Sequence, residues 1–246
     1  YLHDMVKITF LLMILIPFVI LSNGQDLKPG TQIPRAGKGI FVKKAQAYPY
    51  LLFLPNNFVA DHQHSYPLLL FLHGSGERGN DLELVKKNGT PGFVESMEDF
   101  PFVMLTPQCP QGETWDSERL MALVNEAIEN YSIDTNRMYI TGLSMGGYGT
   151  FDLACNYPGK FAAILPVCCG GQKLKAEKLI HTPIWAFHGA DDTIVPVSES
   201  KNMVEIVNRL GGNAHITILP GVGHNAWEYV YIRPEIYQWL LSHQLK

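Results

Sequence analysis

Short runs of consecutive apolar residues, separated by longer stretches with apolar positions every three or four residues, set the rhythm of this chain. The runs are Tyr50–Leu54 (YLLFL), Pro67–His73 (PLLLFLH), Phe102–Pro107, Arg137–Gly142, Phe161–Val167, Pro183–Gly189 and His215–Gly221. Several are apolar at successive rather than alternate positions, the pattern of strands buried on both faces. Between them, Ser117–Tyr131 places Leu120, Leu123, Val124, Ala127 and Ile128 at helical spacing. Ser198–Gly211 opens on a residue suited to capping and ends at glycine, and Arg233–Leu245 carries a proline near its start. All three are helix signals. Alternation of strand and helix predicts an α/β fold, with a mostly parallel central sheet of about eight strands and helices on both faces. Chemistry in such sheets gathers beyond the carboxyl ends of the strands, so the residues that follow each apolar run are the ones to inspect.

Composition adds a size and some exclusions. The 246 residues, 46% of them hydrophobic, suit one domain over residues 25–246 with a sizeable core. A net charge of −4 with scattered basic residues gives no electrostatic footprint for nucleic acid or an anionic membrane surface. Residues 1–24 differ from the rest: Lys7, the apolar run Ile8–Leu21 and the small residues Ser22 and Gly24 have the layout of a secretory signal peptide. Tyr1–Asp4 precede Met5 and read as translated upstream sequence. The run is short of the roughly 20 residues a bilayer span needs and contains Pro17, so a stable membrane anchor is not expected. The expected location is therefore secreted or periplasmic, where disulfides are permitted. Cys109, Cys155, Cys168 and Cys169 show no CxxC pair and no zinc-like spacing. One bridge through Cys109 or Cys155, or four buried thiols, both fit the sequence.

After the run ending at Thr141 comes GLSMG (Gly142–Gly146), a GxSxG pattern followed by the helix-compatible YGTFDLAC. Strand, glycine-flanked serine and helix together describe a sharp turn that exposes a hydroxyl, which makes Ser144 a candidate nucleophile. A serine hydroxyl needs a base. Of the nine histidines, His224 follows the last strand in PGVGHNAWEY, in a glycine-flanked loop, and is the candidate base. His62, His64 and His243 read as solvated, and the HG of His188 as a turn supporting the acid that follows. That acid, which orients the base, is sought in AFHGADDTIVP, where Asp192 is preferred to Asp191. The other aspartate is then free to cap the next helix. Two backbone donors are also needed for a tetrahedral oxyanion. Met145 offers one by position, and Ser75 in the glycine-rich LHGSGERGND offers the second.

These segments, with TPQCPQGETW and GVGHNAWEYVY, resemble the α/β-hydrolase superfamily. More narrowly they resemble its small secreted esterases: the polyhydroxybutyrate-depolymerase, feruloyl and acetylxylan esterase group, including predicted peptidases and phospholipase/carboxylesterases. The likeness runs from about Pro67 to Trp239. It implies the α/β-hydrolase fold and assigns Ser144, Asp192 and His224 as nucleophile, acid and base, with Ser75 and Met145 as oxyanion donors. No long insertion separates Phe161 from Pro183, so no large lid is expected. Trp115 and Trp227 are candidates for flanking the cleft and stacking on an aromatic acyl group or sugar ring, or else core aromatics. The expected partner is an ester substrate, polymer-linked esters of plant polysaccharide included, with no metal or organic cofactor. Rival readings are a secreted serine peptidase of the same fold and a catalytically silent binding module.

Overall fold

The computed structural model describes residues 27–37, 48–61 and 63–246. The signal-like segment, and with it His3 and also His62, lie outside these residues. One eight-stranded sheet organises the chain, with β1 (Gln32–Arg35), β2 (Tyr50–Phe53), β3 (Tyr66–Leu72), β4 (Val103–Pro107), β5 (Ile133–Leu143), β6 (Ala163–Val167), β7 (Ile184–Gly189) and β8 (Ala214–Leu219). Their spatial order is β1-β2-β4-β3-β5-β6-β7-β8. The pairs from β4 through β8 are parallel, while β2 runs antiparallel to both β1 and β4. Among the described residues five α-helices accompany the strands: α1 (Ser117–Asn130), α2 (Met145–Asn156), α3 (Ser198–Arg209), α4 (Trp227–Val230) and α5 (Pro234–Leu241).

The unbroken apolar runs have the cause expected of them. Along β3, Leu68, Leu70 and Leu72 face one core with Leu123 of α1, Phe151 of α2 and Met203 of α3. Leu69 and Phe71 face the other, with Tyr231 and with Ile236 and Tyr237 of α5. Successive strand residues point to opposite faces, so a sheet covered on both sides demands apolar residues at every position. The same arrangement is the α/β-hydrolase fold. No helix among the described residues is long and apolar enough to cross a membrane.

Two local expectations are corrected, and one strand is added. Ser198 does not cap α3: Val197 holds the cap position and no side chain accepts a bond there. The other end follows the signal, with Gly211 at φ +90° and Gly212 N–H donating to Val207 O at 2.9 Å in a left-handed closing turn. α5 stops at Leu241 rather than Leu245, because the last residues bond elsewhere. Leu245 N–H donates to Asn136 O (2.9 Å), and Tyr139 O–H donates to His243 O (2.7 Å). β1 carries no apolar run, since its QIPR is half-exposed and contains Pro34, which only an edge strand accommodates. All four cysteines are free and buried.

Candidate active site

β5 ends at Leu143 and α2 begins at Met145, leaving Ser144 to make the whole turn at φ +51° and ψ −116°. Side chains with a Cβ avoid this region, at a cost of about 1–3 kcal/mol. The turn is held because Ser144 N–H donates to Val167 O on β6 (2.9 Å) while Ser144 O accepts from Tyr148 N–H (3.1 Å). The hydroxyl is thereby lifted above the carboxyl edge of the sheet.

Two loops meet it there. His224, after β8, has Nε2 at 2.9 Å from Ser144 Oγ, and its Nδ1 lies 2.7 Å from Asp192 Oδ2 after β7. An ionised carboxylate only accepts, so Nδ1 carries the proton and Nε2 presents its lone pair to the serine hydroxyl. Asp192 is fixed from its other oxygen, which accepts the N–H groups of Ile194 and Val195 at 2.9 Å each. Burial pushes the Asp192 carboxyl up, but the bonds from His224, Val195 and Ile194 outweigh it, and the pKa lies below the ordinary carboxylate value. Asp192 is therefore ionised throughout the range in which a histidine titrates. Asp191 is exposed, its N–H donating to Val222 O. The helix cap expected of the spare aspartate is not made: no side chain caps α3, and Asp192 instead closes the turn over Ile194 and Val195.

The Ser75 loop lies beside this turn because β3 and β5 pair with Leu72 opposite Gly142. Ser75 opens the short 3₁₀ helix Ser75–Glu77 and Met145 opens α2, so neither N–H has an acceptor within its own helix. His73 pins the loop from beneath: its Nδ1–H donates to Gly74 O (2.6 Å), its Nε2 accepts from Cys109 N–H (3.0 Å), and its carbonyl accepts from Trp115 Nε1 (3.2 Å). Burial, helped by the nearby Arg78 cation and opposed by the Gly74 bond, lowers the His73 pKa to about 4. Below about 6.5 the unfolded chain takes up a proton that the folded protein refuses. This contribution is complete above that pH and is lost progressively towards pH 4, about 3 kcal/mol in all. Urea midpoints measured between about pH 7 and about pH 4.5 should fall more steeply for the native protein than for His73→Gln. Parallel slopes would count against a neutral, buried His73.

A cavity of about 620 Å³ opens from Ser144, lined among others by Thr114, Trp115, Tyr148, Asp152 and Gln172. Trp115 is 9% exposed and packed edge-on against Tyr48 and His73, and it also forms part of this wall. Trp227 does not line it: the indole packs edge-on against His224 (5.3 Å) and donates through Nε1 to Asn88 Oδ1 (3.1 Å). Sequence reasoning missed Tyr148 and Asp152, although a signal was present. Tyr148 and Asp152 are four residues apart, which stacks them on one face of α2, four and eight residues beyond Ser144. Asp152 accepts from Gln172 Nε2 (2.9 Å) and Ser117 Oγ (2.8 Å), so the far wall is polar and already paired.

A model of the family described as Phospholipase/Carboxylesterase matches residues 100–231. A bifunctional acetylxylan esterase/xylanase of Neocallimastix patriciarum is 29% identical over 153 residues, which cover 58% of this chain and 21% of that protein. A poly(3-hydroxyoctanoate) depolymerase of Pseudomonas fluorescens is 25% identical over 164 residues, covering 53% and 58% respectively. Among solved structures, a thermostable esterase superposes with a TM-score of 0.73 at 32% identity, over 87% of this chain and 63% of its own. The chain thus spans from about a fifth to under two thirds of these relatives' lengths.

Proposed function

Because the chain belongs to the phospholipase/carboxylesterase family of the α/β-hydrolase superfamily, we propose that it is a serine carboxylesterase working through an acyl-enzyme. The observation that carries this reading is the chain Ser144–His224–Asp192, with contacts of 2.9 and 2.7 Å and a strained serine at its head. Ser144 Oγ attacks the ester carbonyl as His224 Nε2 takes the hydroxyl proton. Asp192 stabilises the imidazolium that results. The N–H groups of Met145 and Ser75 receive the oxyanion, a donor of this kind contributing roughly 10²–10³ in rate. On collapse His224 returns the proton to the leaving alkoxide and the alcohol departs. Water then repeats the sequence, releasing the acid and restoring Ser144.

Short or aromatic acyl esters of polymers are the substrates this reading favours. The cavity has an aromatic wall in Trp115 and Tyr148 and a paired polar wall at Asp152 and Gln172, which suits a compact acyl group or a ring better than a long alkyl chain. Names of the relatives point the same way, since they include an acetylxylan esterase and a polyester depolymerase. Export, read from the Lys7–Gly24 segment, would bring the enzyme to such polymers. A panel of methyl ferulate, acetylated xylan, p-nitrophenyl esters of graded length and a peptide anilide tests the assignment. Turnover should be highest on acetyl or feruloyl esters and should fall with acyl length. Preference for the anilide would replace the esterase with a peptidase, and failure of a fluorophosphonate probe to label the folded protein would point to a silent binding module.

A further inference from the structure

His188, on β7, is completely buried and takes no part in the chemistry proposed above. Its Nε2 lies 2.9 Å from Val195 O and 3.1 Å from Asp192 Oδ2, the same carboxylate oxygen that His224 uses. Its Nδ1 lies 2.7 Å from Ser200 Oγ on α3. The protons in this cluster can be placed by elimination. Val195 O is a carbonyl and only accepts, so Nε2 bears hydrogen. Ser200 has a single hydroxyl hydrogen, and its Oγ stands 2.5 Å from the carbonyl of Cys169, which also only accepts. That hydrogen therefore points to Cys169, and Ser200 offers His188 a lone pair, which Nδ1 must meet with a second N–H. A ring with one bare nitrogen would set acceptor against acceptor at one of these contacts.

Both ring nitrogens donate, so the ring is an imidazolium, and a buried cation requires a counter-ion. We infer that His188 is a cationic positioning residue that shares the Asp192 carboxylate with His224 and so tunes the strength of the catalytic base. The inference rests on the triad reading of the preceding subsection. Three N–H donors hold Asp192, those of Ile194 and Val195 on Oδ1 and that of His224 on Oδ2, and the His188 ring adds its charge 3.1 Å from Oδ2. Bonded on both oxygens, the carboxylate has its plane fixed. The cation also leaves less negative potential for the imidazolium that forms on His224.

The other groups nearby do not supply competing charge. Cys168 Sγ lies within 4.8 Å of the ligand atoms of both His188 and Asp192, and burial pushes its thiol pKa up to about 11. Burial raises the Cys169 thiol further, and the Tyr148 phenol on α2 is also raised by burial. Glu199, the neighbour of Ser200 on α3, has its carboxylate 4.0 Å from Lys173 Nζ. Asp192 is the carboxylate within ion-pair distance of His188 among the described residues.

The test compares pH profiles of kcat/KM on a p-nitrophenyl ester for the native protein, His188→Gln and Ser200→Ala. Glutamine removes the cation. Ser200→Ala removes the acceptor at Nδ1, so the ring sheds its second proton. In both variants the acid limb should move up by about one pH unit, while the plateau changes less than about tenfold. ¹⁵N NMR of histidine-labelled native protein at about pH 7 should show one ring with both nitrogens protonated, absent from His188→Gln. A bare nitrogen on His188, or an acid limb unmoved in both variants, overturns the inference. Should the protein neither hydrolyse esters nor bind the fluorophosphonate probe, the triad reading and the tuning role fall, and the NMR spectrum still decides the charge of His188.

Discussion

Ser144→Ala is expected to lower kcat/KM for a short p-nitrophenyl ester by about 10⁴- to 10⁶-fold and to abolish fluorophosphonate labelling. The residue's position gives a reason to expect a clean loss. Its hydroxyl is held 2.9 Å from His224 Nε2 by a backbone turn whose bonds, to Val167 O and from Tyr148 N–H, involve no side-chain atom. Alanine keeps those bonds, so the circular dichroism spectrum and the thermal midpoint should stay close to native. Residual turnover should remain above the uncatalysed rate, because the N–H groups of Met145 and Ser75 persist. Normal turnover by the folded variant would remove Ser144 from the mechanism.

The second large effect is on folding. Gly146→Ala places a Cβ 1.9 Å from Leu72 O, 2.5 Å from Leu72 C and 2.7 Å from His73 O, all backbone atoms of the strand that carries the oxyanion loop. Nothing flexible is present to yield, so α2 or the end of β3 must move. Gly142 faces the same crossing, where a Cβ would lie 2.4 Å from Gly146 O. We expect Gly146→Ala to cost more than about 4 kcal/mol, a large share of a domain's typical 5–15 kcal/mol. It should lower the midpoint by roughly 10 °C or more or leave the protein insoluble. Gly76→Ala is the control, since a Cβ there meets nothing within 4 Å and its effect should lie within about 0.5 kcal/mol. Equal behaviour of the two variants would mean that strand and helix are not in the close contact described.

Seven of the eight strands were legible, several of them because a sheet covered on both faces writes itself as unbroken apolar runs. The exception, β1, is a half-exposed edge in which four residues pair only with β2, and such a strand has no burial to advertise. The expected cap at Ser198 failed for a related reason. Local sequence showed a polar residue at a helix start, but the serine with a buried task is Ser200, committed to His188 and Cys169. The cavity lining was only partly visible. Tyr148 and Asp152 follow from the periodicity of α2, whereas Thr114 and Gln172 arrive on loops far apart in the chain.

The sequence alone determined the α/β class, the family resemblance and the candidates Ser144, Asp192 and His224. Strand burial and glycine-flanked turns are local properties, and each candidate sits just past its own apolar run. What tertiary structure decided is how the two histidines divide one carboxylate. His188, in β7, and Asp192, in the loop that follows it, are four residues apart, and His224 is 32 residues beyond Asp192. By sequence distance His188 is the nearer partner, yet it is His224 that stands 2.9 Å from Ser144 Oγ. The reason is geometric. The last residues of β7 remain paired with β8 in the sheet, where the His188 ring is buried, whereas the loop after β8 carries His224 to hydrogen-bond distance of the hydroxyl.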